Sequence, residues 1–389
     1  MPNDTPTPVS STVFEERSSN NGYRIGIIRL NEPRKLNALS LVMIDAMRSQ
    51  LEAWERDSGI AMIILEAAGE KAFCAGGDVR SLYDSVKLGP KESAERYARE
   101  LFEREYELDY LLHTCSKPIL AWGHGLVMGG GMGLLVGCSH RVVTAASRLS
   151  MPEIGIGLFP DVGASWFLSR VPGRLGLMLG FTAAPLDAAD ALFAGLADYR
   201  LDHADKDAVI AALSAVDWTG DRRLDDRSID AVLRPLVKHD GPGPLVRNFD
   251  ALREACGRPD LIGVVDALNA LGGNGDEWLD AALKRMANAC PTTLWLTWSL
   301  QKRTAQRSLD QVFGIECLLA SRRVLDDQFI EGIRAVLIDK DGKPQWNETL
   351  GPDMPAWITS FFSALPPHAG LPLAAFAATR VGPAFKTAY

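Results

Sequence analysis

The chain has 389 residues, with 41 Lys and Arg against 49 Asp and Glu, a net charge of −8 that argues against nucleic acid as its main partner. Hydrophobic residues make up 47% and charged residues 23%, the balance of a globular protein with one large core or two to three domains of roughly 150 residues. No apolar run reaches membrane-spanning length, so a membrane partner is not expected.

Residues 1–12 are polar and rich in Pro, Ser and Thr, and predict a disordered tail with neither the basic region nor the apolar core of a leader. Tyr23 to Leu30 reads as a strand and Asn31 to Lys35 as a turn. Ser40 can cap a helix on which Ile44, Met47, Leu51 and Trp54 share one face. A buried-type strand, Ile60 to Leu65, is followed by a loop from Gly69 to Asp78. An amphipathic helix spans 91–114, a strand Pro118 to Trp122, a helix 130–138, and a strand His140 to Thr144. This alternation predicts an α/β layer protein. After about residue 200 the texture becomes helical, over 205–215, 226–238, 277–289, 291–304, 309–324 and 326–337, with 239–246 as a loop or hinge. The division expected is a core at 13–200, a helical region at 201–364, and a Pro/Ala-rich tail at 365–389, poorly ordered or serving as a partner-binding arm.

The six cysteines (Cys74, Cys115, Cys138, Cys256, Cys290, Cys317) show no paired spacing and sit mostly in apolar surroundings. They read as reduced core residues, which gives the cytoplasm as the expected location. No His or Cys pair has zinc-ligand spacing, no Gly-Lys-Ser/Thr phosphate loop occurs, and the glycines at 129–137 do not fit a dinucleotide fingerprint. His124 and His140 read as core or hydrogen-bonding residues, and Met128 and Met132 as packing.

The chemistry concentrates in GHGLVMGGGMGLLVGCSHRVVTAASRLSMPEIGIGLFPDVG, from Gly123 to Gly163. Gly129-Gly130-Gly131 can be a tight strand-to-helix turn. Equally, Gly130 can offer its N–H at a helix N-terminus to a developing negative charge, and spacing alone leaves both readings open. Gly76-Gly77 before Asp78 poses the same choice. Glu153 is set among Met151, Pro152, Ile154, Ile156 and Leu158, where burial would raise its pKa and suit it to chemistry near neutrality. Asp161 precedes an apolar run, Trp166-Phe167-Leu168, read as a helix; a carboxylate near that N-terminus would stay ionised.

Together, KAFCAGGD at 71–78, HG-x-x-MGGG at 124–131 and MPEIGIGLFPDVG at 151–163 resemble the crotonase (enoyl-CoA hydratase/isomerase) superfamily. CPTTLWLT at 290–297 and FIEGIRAVLIDKDGKPQW at 329–346 resemble its 3-hydroxyisobutyryl-CoA hydrolase branch, and the likeness runs from about residue 20 to 362. The resemblance implies a crotonase-like spiral of strand–strand–helix units forming two sheets, with a helical C-terminal region over the site and homo-oligomer contacts. It implies oxyanion-hole amides at Gly77 and Gly130, a catalytic glutamate at Glu153 and a second catalytic carboxylate at Asp161. Substrate contacts are implied at Glu105 and along Ala75, Gly76 and Asp78, and the turn carrying Arg34 and Lys35 would lie near the CoA nucleotide. No metal or redox cofactor is implied, since CoA arrives as part of the substrate. The hydratases carry a second glutamate two residues after the triple glycine. Here Gly133 stands in that place, which favours hydrolysis of a short acyl-CoA such as 3-hydroxyisobutyryl-CoA, in valine breakdown. The rivals are a hydratase or isomerase on the same fold and a non-catalytic CoA-binding scaffold.

Overall fold

The computed structural model describes residues 10–380. Nine strands form two sheets: β1 (Thr12–Ser18), β2 (Arg24–Leu30), β3 (Ile60–Ala67), β4 (Ala72–Cys74), β5 (Ile119–Gly123), β6 (Leu126–Met128), β7 (His140–Val143), β8 (Arg148–Ser150) and β9 (Tyr199–Arg200). The larger sheet has the order β1-β2-β3-β5-β7-β9, the smaller β4-β6-β8. Only β1 and β2 pair antiparallel; every other pair is parallel. From β3 onward the chain lays one strand in the large sheet and the next in the small sheet. A helical segment follows before the cycle repeats, through β3-β4, β5-β6 and β7-β8. This is the expected crotonase-like α/β spiral.

Parallel strands need crossovers, and those crossovers cover the sheet. All eight residues of β3 are accordingly buried. Its side chains alternate between two cores, Ile63 and Leu65 facing one and Met62 and Ile64 the other. The second core is closed by the helices Lys206–Ser214 and Arg222–Leu233, through Val209, Leu213, Ile229 and Leu233. The main core runs without interruption from Ile28 to Ala377, so the helices after residue 240 pack on the same centre as the spiral. Ser40 caps the helix Leu41–Arg56 by accepting from Met43 N, and Ile44, Met47, Leu51 and Trp54 are all buried on it.

The structure departs from the sequence reading at several places: the stretch expected as a loop from Gly69 to Asp78 holds β4, and β6, β8, β9 and the helices Val79–Leu88, Leu175–Thr182 and Ala188–Phe193 were not foreseen. Most of the expected N-terminal tail lies outside the described residues, but Ser10 and Ser11 accept hydrogen bonds from Asn31, and Thr12 begins a strand. That strand escaped notice because its charged run Glu15-Glu16-Arg17 sits on an edge, where one face is solvated. The segment after 364 also docks: Leu371, Leu373 and Ala377 are buried, and Arg380 on the helix Ala374–Arg380 forms a two-pronged pair with Glu55 at 2.5 and 2.8 Å. Residues 381–389 lie outside the described residues. The short helix Pro244–Arg247 interrupts the expected hinge, its first amides received by the Asp190 carboxylate. Two helices, Phe249–Cys256 and Leu261–Asn269, went unread. All six cysteines are free and buried.

Candidate active site

The site is built where the smaller sheet ends. β4 runs into Ala75-Gly76-Gly77-Asp78, and β6 runs into Gly129-Gly130. The first loop is held by a turn that starts at Glu32. Asn37 there adopts the left-handed region, φ 55°, and its buried side-chain amide donates to Ala68 O and Ala72 O. Leu39 then brackets Gly77, donating to Gly76 O and accepting from Asp78 N, both at 2.8 Å. The bracket leaves the Gly77 amide unused. Gly130 is the first residue of the helix Gly130–Val136, where an amide has no partner within the helix. Among the described residues no acceptor takes the N–H of Gly77 or Gly130. The two lie side by side: a Cβ built on Gly130 would stand 3.4 Å from Gly77 N. Two adjacent unclaimed amides at a helix start are what an oxyanion requires.

Around them stand carboxyl groups. Glu153 opens the tight turn Glu153–Ile156 behind Pro152, and Gly157 closes it at φ +72°. Its carboxyl rests on Gly129, where a Cβ would meet Glu153 Oε1 at 2.7 Å and where φ is +50°, so only glycine fits. Glu153 Oε2 is buried without a hydrogen-bond partner. Glu105 projects from the helix Lys91–Thr114, its Oε1 only 2.5 Å from the Cβ position of Gly130. One turn later the same helix presents Asp109, fully buried with neither oxygen bonded. Asp161 accepts a 2.6 Å hydrogen bond from the Tyr106 hydroxyl. Glu316, from the helix Leu309–Arg323, accepts from the amides of Gly163 and Ser165.

Burial raises the pKa of every one of these acids. The Glu105 carboxyl is pushed up to about 8 by burial and by Asp161 beside it. Glu316 is likewise pushed up to about 8, mainly by burial. Glu153 and Asp109 stand well above the carboxylate range, through burial first and neighbouring carboxylates second. Asp161 rises least, to about 6, because the Tyr106 hydrogen bond opposes the burial. Crowding and burial together favour the protonated forms of these acids. Asp161 still ionises near neutrality, at about 6, as expected, but not for the reason expected. Its pKa goes up, and the carboxylate at the N-terminus of the helix Ala164–Phe167 is Glu316.

These pKa values make a stability prediction. An acid raised to about 8 in the fold but near 4.3 when unfolded keeps a proton that the unfolded chain releases between those values. Stability from such a group is complete below the unfolded value and is lost as pH rises toward 8. The buried histidines act oppositely, since burial lowers His113 to about 4, but their contribution is complete above roughly pH 6.5. The melting temperature is therefore expected to fall from pH 6.5 to 8, and Glu105→Gln to flatten that fall. A wild-type melting temperature that rises across this window would contradict the assignment.

Glu105, Glu153, Asp161 and both glycines open on one cavity of about 690 Å³, while Asp109 and Glu316 lie behind its wall. Ala75, Gly76, Gly77, Asp78, Glu105, Gly130, Glu153 and Asp161 all line it. Asp78 also caps the helix Val79–Leu88, accepting from Ser81 N. Met128 belongs to the wall, contrary to the packing role expected of it, while Met132 is core. Arg34 and Lys35 do not line the cavity. They ride on the exposed turn Pro33–Lys35, one hydrogen bond away from it through Leu36 O and Ala75 N. The cavity's cations are instead Lys284 and Arg285 from the helix Glu277–Ala287. Val336, Leu337, Gly342 and Pro344 form a strap over the far wall, tied down by Arg334 through Glu331, Asp339 and Asp341.

Tyr106, Asp109 and Glu316 were missed in the sequence. The available signal was the one that singled out Glu153, a lone polar group in an apolar run, as in GIECLLA around Glu316. His124 hydrogen-bonds Gly69 O and His140 meets Ser139 Oγ, both structural roles. A second groove of about 820 Å³ beside His140 is lined by Arg141, Arg222 and Arg234, whose charges are already paired with Asp198, Asp226 and Asp230.

Comparison with known proteins agrees with this geometry. The enoyl-CoA hydratase/isomerase family profile matches residues 25–362. The chain is 35% identical over 341 residues to the mitochondrial 3-hydroxyisobutyryl-CoA hydrolase of Xenopus laevis, covering 87% of this chain and 86% of that protein. It is 34% identical to the human protein of the same name, over 82% and 81% of the two chains. Among solved structures, an enoyl-CoA hydratase from Rhodobacter sphaeroides superimposes with a TM-score of 0.78 at 30% identity, covering 92% of this chain and 98% of that one. A carnitinyl-CoA dehydratase from Mycobacterium thermoresistibile gives the same TM-score at 29% identity and the same coverage. With its strand–strand–helix spiral, its paired free amides and a match over most of its length, the chain belongs to the enoyl-CoA hydratase/isomerase family.

Proposed function

We propose that the protein hydrolyses a short-chain acyl-CoA thioester, 3-hydroxyisobutyryl-CoA, to the free hydroxy acid and CoA, the reaction named in its curated relatives and a step of valine breakdown. The observation that carries this reading is the pair of unclaimed amides of Gly77 and Gly130 beside the partnerless Glu153 carboxyl. The thioester carbonyl oxygen sits between the two amides, which stabilise the negative charge that develops on it. Glu153 supplies the electron pair. If it attacks the carbonyl carbon directly, a mixed anhydride forms, CoA leaves as thiolate, and water opens the anhydride. If it takes a proton from water, hydroxide attacks and the same thiolate departs. Oxygen-18 from labelled water enters Glu153 only on the first route. The reading needs no metal or redox cofactor.

Asp161 gives the specificity. One of its oxygens accepts from Tyr106, which leaves the other for a substrate hydroxyl two carbons from the carbonyl. An acceptor built for a hydroxyl discriminates against analogues that leave it unpaired. Thiol release from isobutyryl-CoA is therefore expected to be at least about 10-fold slower than from 3-hydroxyisobutyryl-CoA. Asp161→Asn should shrink that ratio. Equal rates on the two esters would remove this account of specificity.

The two structural neighbours named as a hydratase and a dehydratase favour a second reading, addition or removal of water on the same fold. Gly133 opposes it, since it offers no second acid–base group. Homo-oligomeric assembly belongs to the proposal as well. So does a reducing compartment, supported by six free thiols, for which the sequence suggests the cytoplasm and the relatives' names the mitochondrion.

A further inference from the structure

We propose that Glu316 is the positioning residue that holds Asp161 in its working geometry; this rests on the role given to Asp161 above. The chain leaves Asp161 through two residues in the left-handed region, Val162 at φ +50° and Gly163 at φ +83°. A β-branched residue is strained there, and such a conformation persists only where its surroundings over-determine it. The helix that follows, Ala164–Phe167, is only four residues long and cannot hold the bend by itself. Glu316 does so from 153 residues away, its Oε2 receiving Gly163 N at 2.7 Å and its Oε1 receiving Ser165 N at 2.8 Å. Phe313, three residues earlier on the same helix face, closes the other side. A Cβ on Gly163 would meet the Phe313 ring at 2.9 Å, and that ring packs on Tyr106 at 5.6 Å between centroids. Tyr106 fixes the Asp161 side chain while Glu316 fixes its backbone. The two constraints come from different helices, which meet where Phe313 packs on Tyr106.

The test is a double-mutant cycle on the full chain, read as thiol release from 3-hydroxyisobutyryl-CoA. Glu316→Gln keeps one acceptor and sets an amide against a backbone N–H. It is expected to lower kcat by about 10-fold, since small displacements of a reacting group are costly. KM should stay within about twofold, and the preference for the hydroxylated ester should shrink in parallel. In an Asp161→Asn background the same change should add less than about twofold, because residues acting through one another are not additive. Glu316→Asp keeps both acceptors on a shorter stem and should retain more kcat than Gln; it also carries the cycle if the Gln variant does not fold. Equal losses in both backgrounds would overturn the proposal and make Glu316 a general support of the fold. An Asp161→Asn variant with full activity would instead strike at the role of Asp161, and this proposal would fall with it.

Discussion

Glu153→Gln is expected to abolish thioester cleavage, lowering kcat by about 10³-fold or more while the protein folds and still binds CoA esters. The substitution keeps the shape of the side chain and removes its ionisable oxygen. The cavity contains other carboxyls, but none can take over. Glu105 lies against Gly130, and Asp161 is engaged by Tyr106. Because an unpartnered buried acid is replaced by a neutral group, thermal stability should hold or rise. Unchanged binding of a CoA ester by calorimetry would separate lost chemistry from lost binding. Near-wild-type thiol release from the purified variant would overturn the role assigned to Glu153.

Gly133→Glu, the change that restores the second glutamate of a hydratase, is expected to yield an unstable protein with no hydratase activity. A Cβ at this position would meet the Val162 Cβ at 2.8 Å and the Asp109 carboxyl oxygens at 2.8 and 3.0 Å. None of these can retreat cheaply, since Asp109 is fully buried and Val162 sits in the bend that carries Asp161. Overpacking and an added acid beside Asp109 together should cost about 3 kcal/mol or more. The missing glutamate is thus more than an omission, because its space has been filled from two other elements. Adding Asp109→Ala to the same variant should recover part of the lost melting temperature by opening that space. A stable Gly133→Glu protein that hydrates crotonyl-CoA without releasing thiol would show that the glycine alone separated the two chemistries.

Much of this was legible in the sequence because it is local. The helix at 91–114, the two glycine loops and the Glu153 turn are set by periodicity, by glycine and by proline within a few residues. What could not be read was set by long-range contact. β1 is an edge strand whose pairing with β2 decides its conformation, and the segment after 364 is ordered by Glu55 and Thr114, more than 250 residues earlier. Asp161 reads as a residue at a helix start, favouring ionisation. Its actual state depends on burial and on the Tyr106 hydroxyl, and the helix start is taken by Glu316; no window around 161 contains either residue. Arg34 and Lys35 lie outside the cavity wall, on an exposed turn. Their turn braces the glycine loop through Leu36 O and Ala75 N.

The joint between the Glu153 turn and the C-terminal helices also sets a timetable. Gly157 O is held by the buried guanidinium of Arg323, 166 residues downstream, and the backbone of Ile156 lies so close to Gly332 that a Cβ there would collide at 2.4 Å. On a ribosome adding 5–20 residues per second, the carboxylate loop emerges roughly 10–30 s before the residue that secures it. Through that interval the spiral can pair its strands, while the acids remain wetted and ionised and the bend at Val162 has nothing to enforce it. Catalytic competence therefore arrives late in synthesis and all at once. Chains that end before Arg323 are expected to show no thioester hydrolysis.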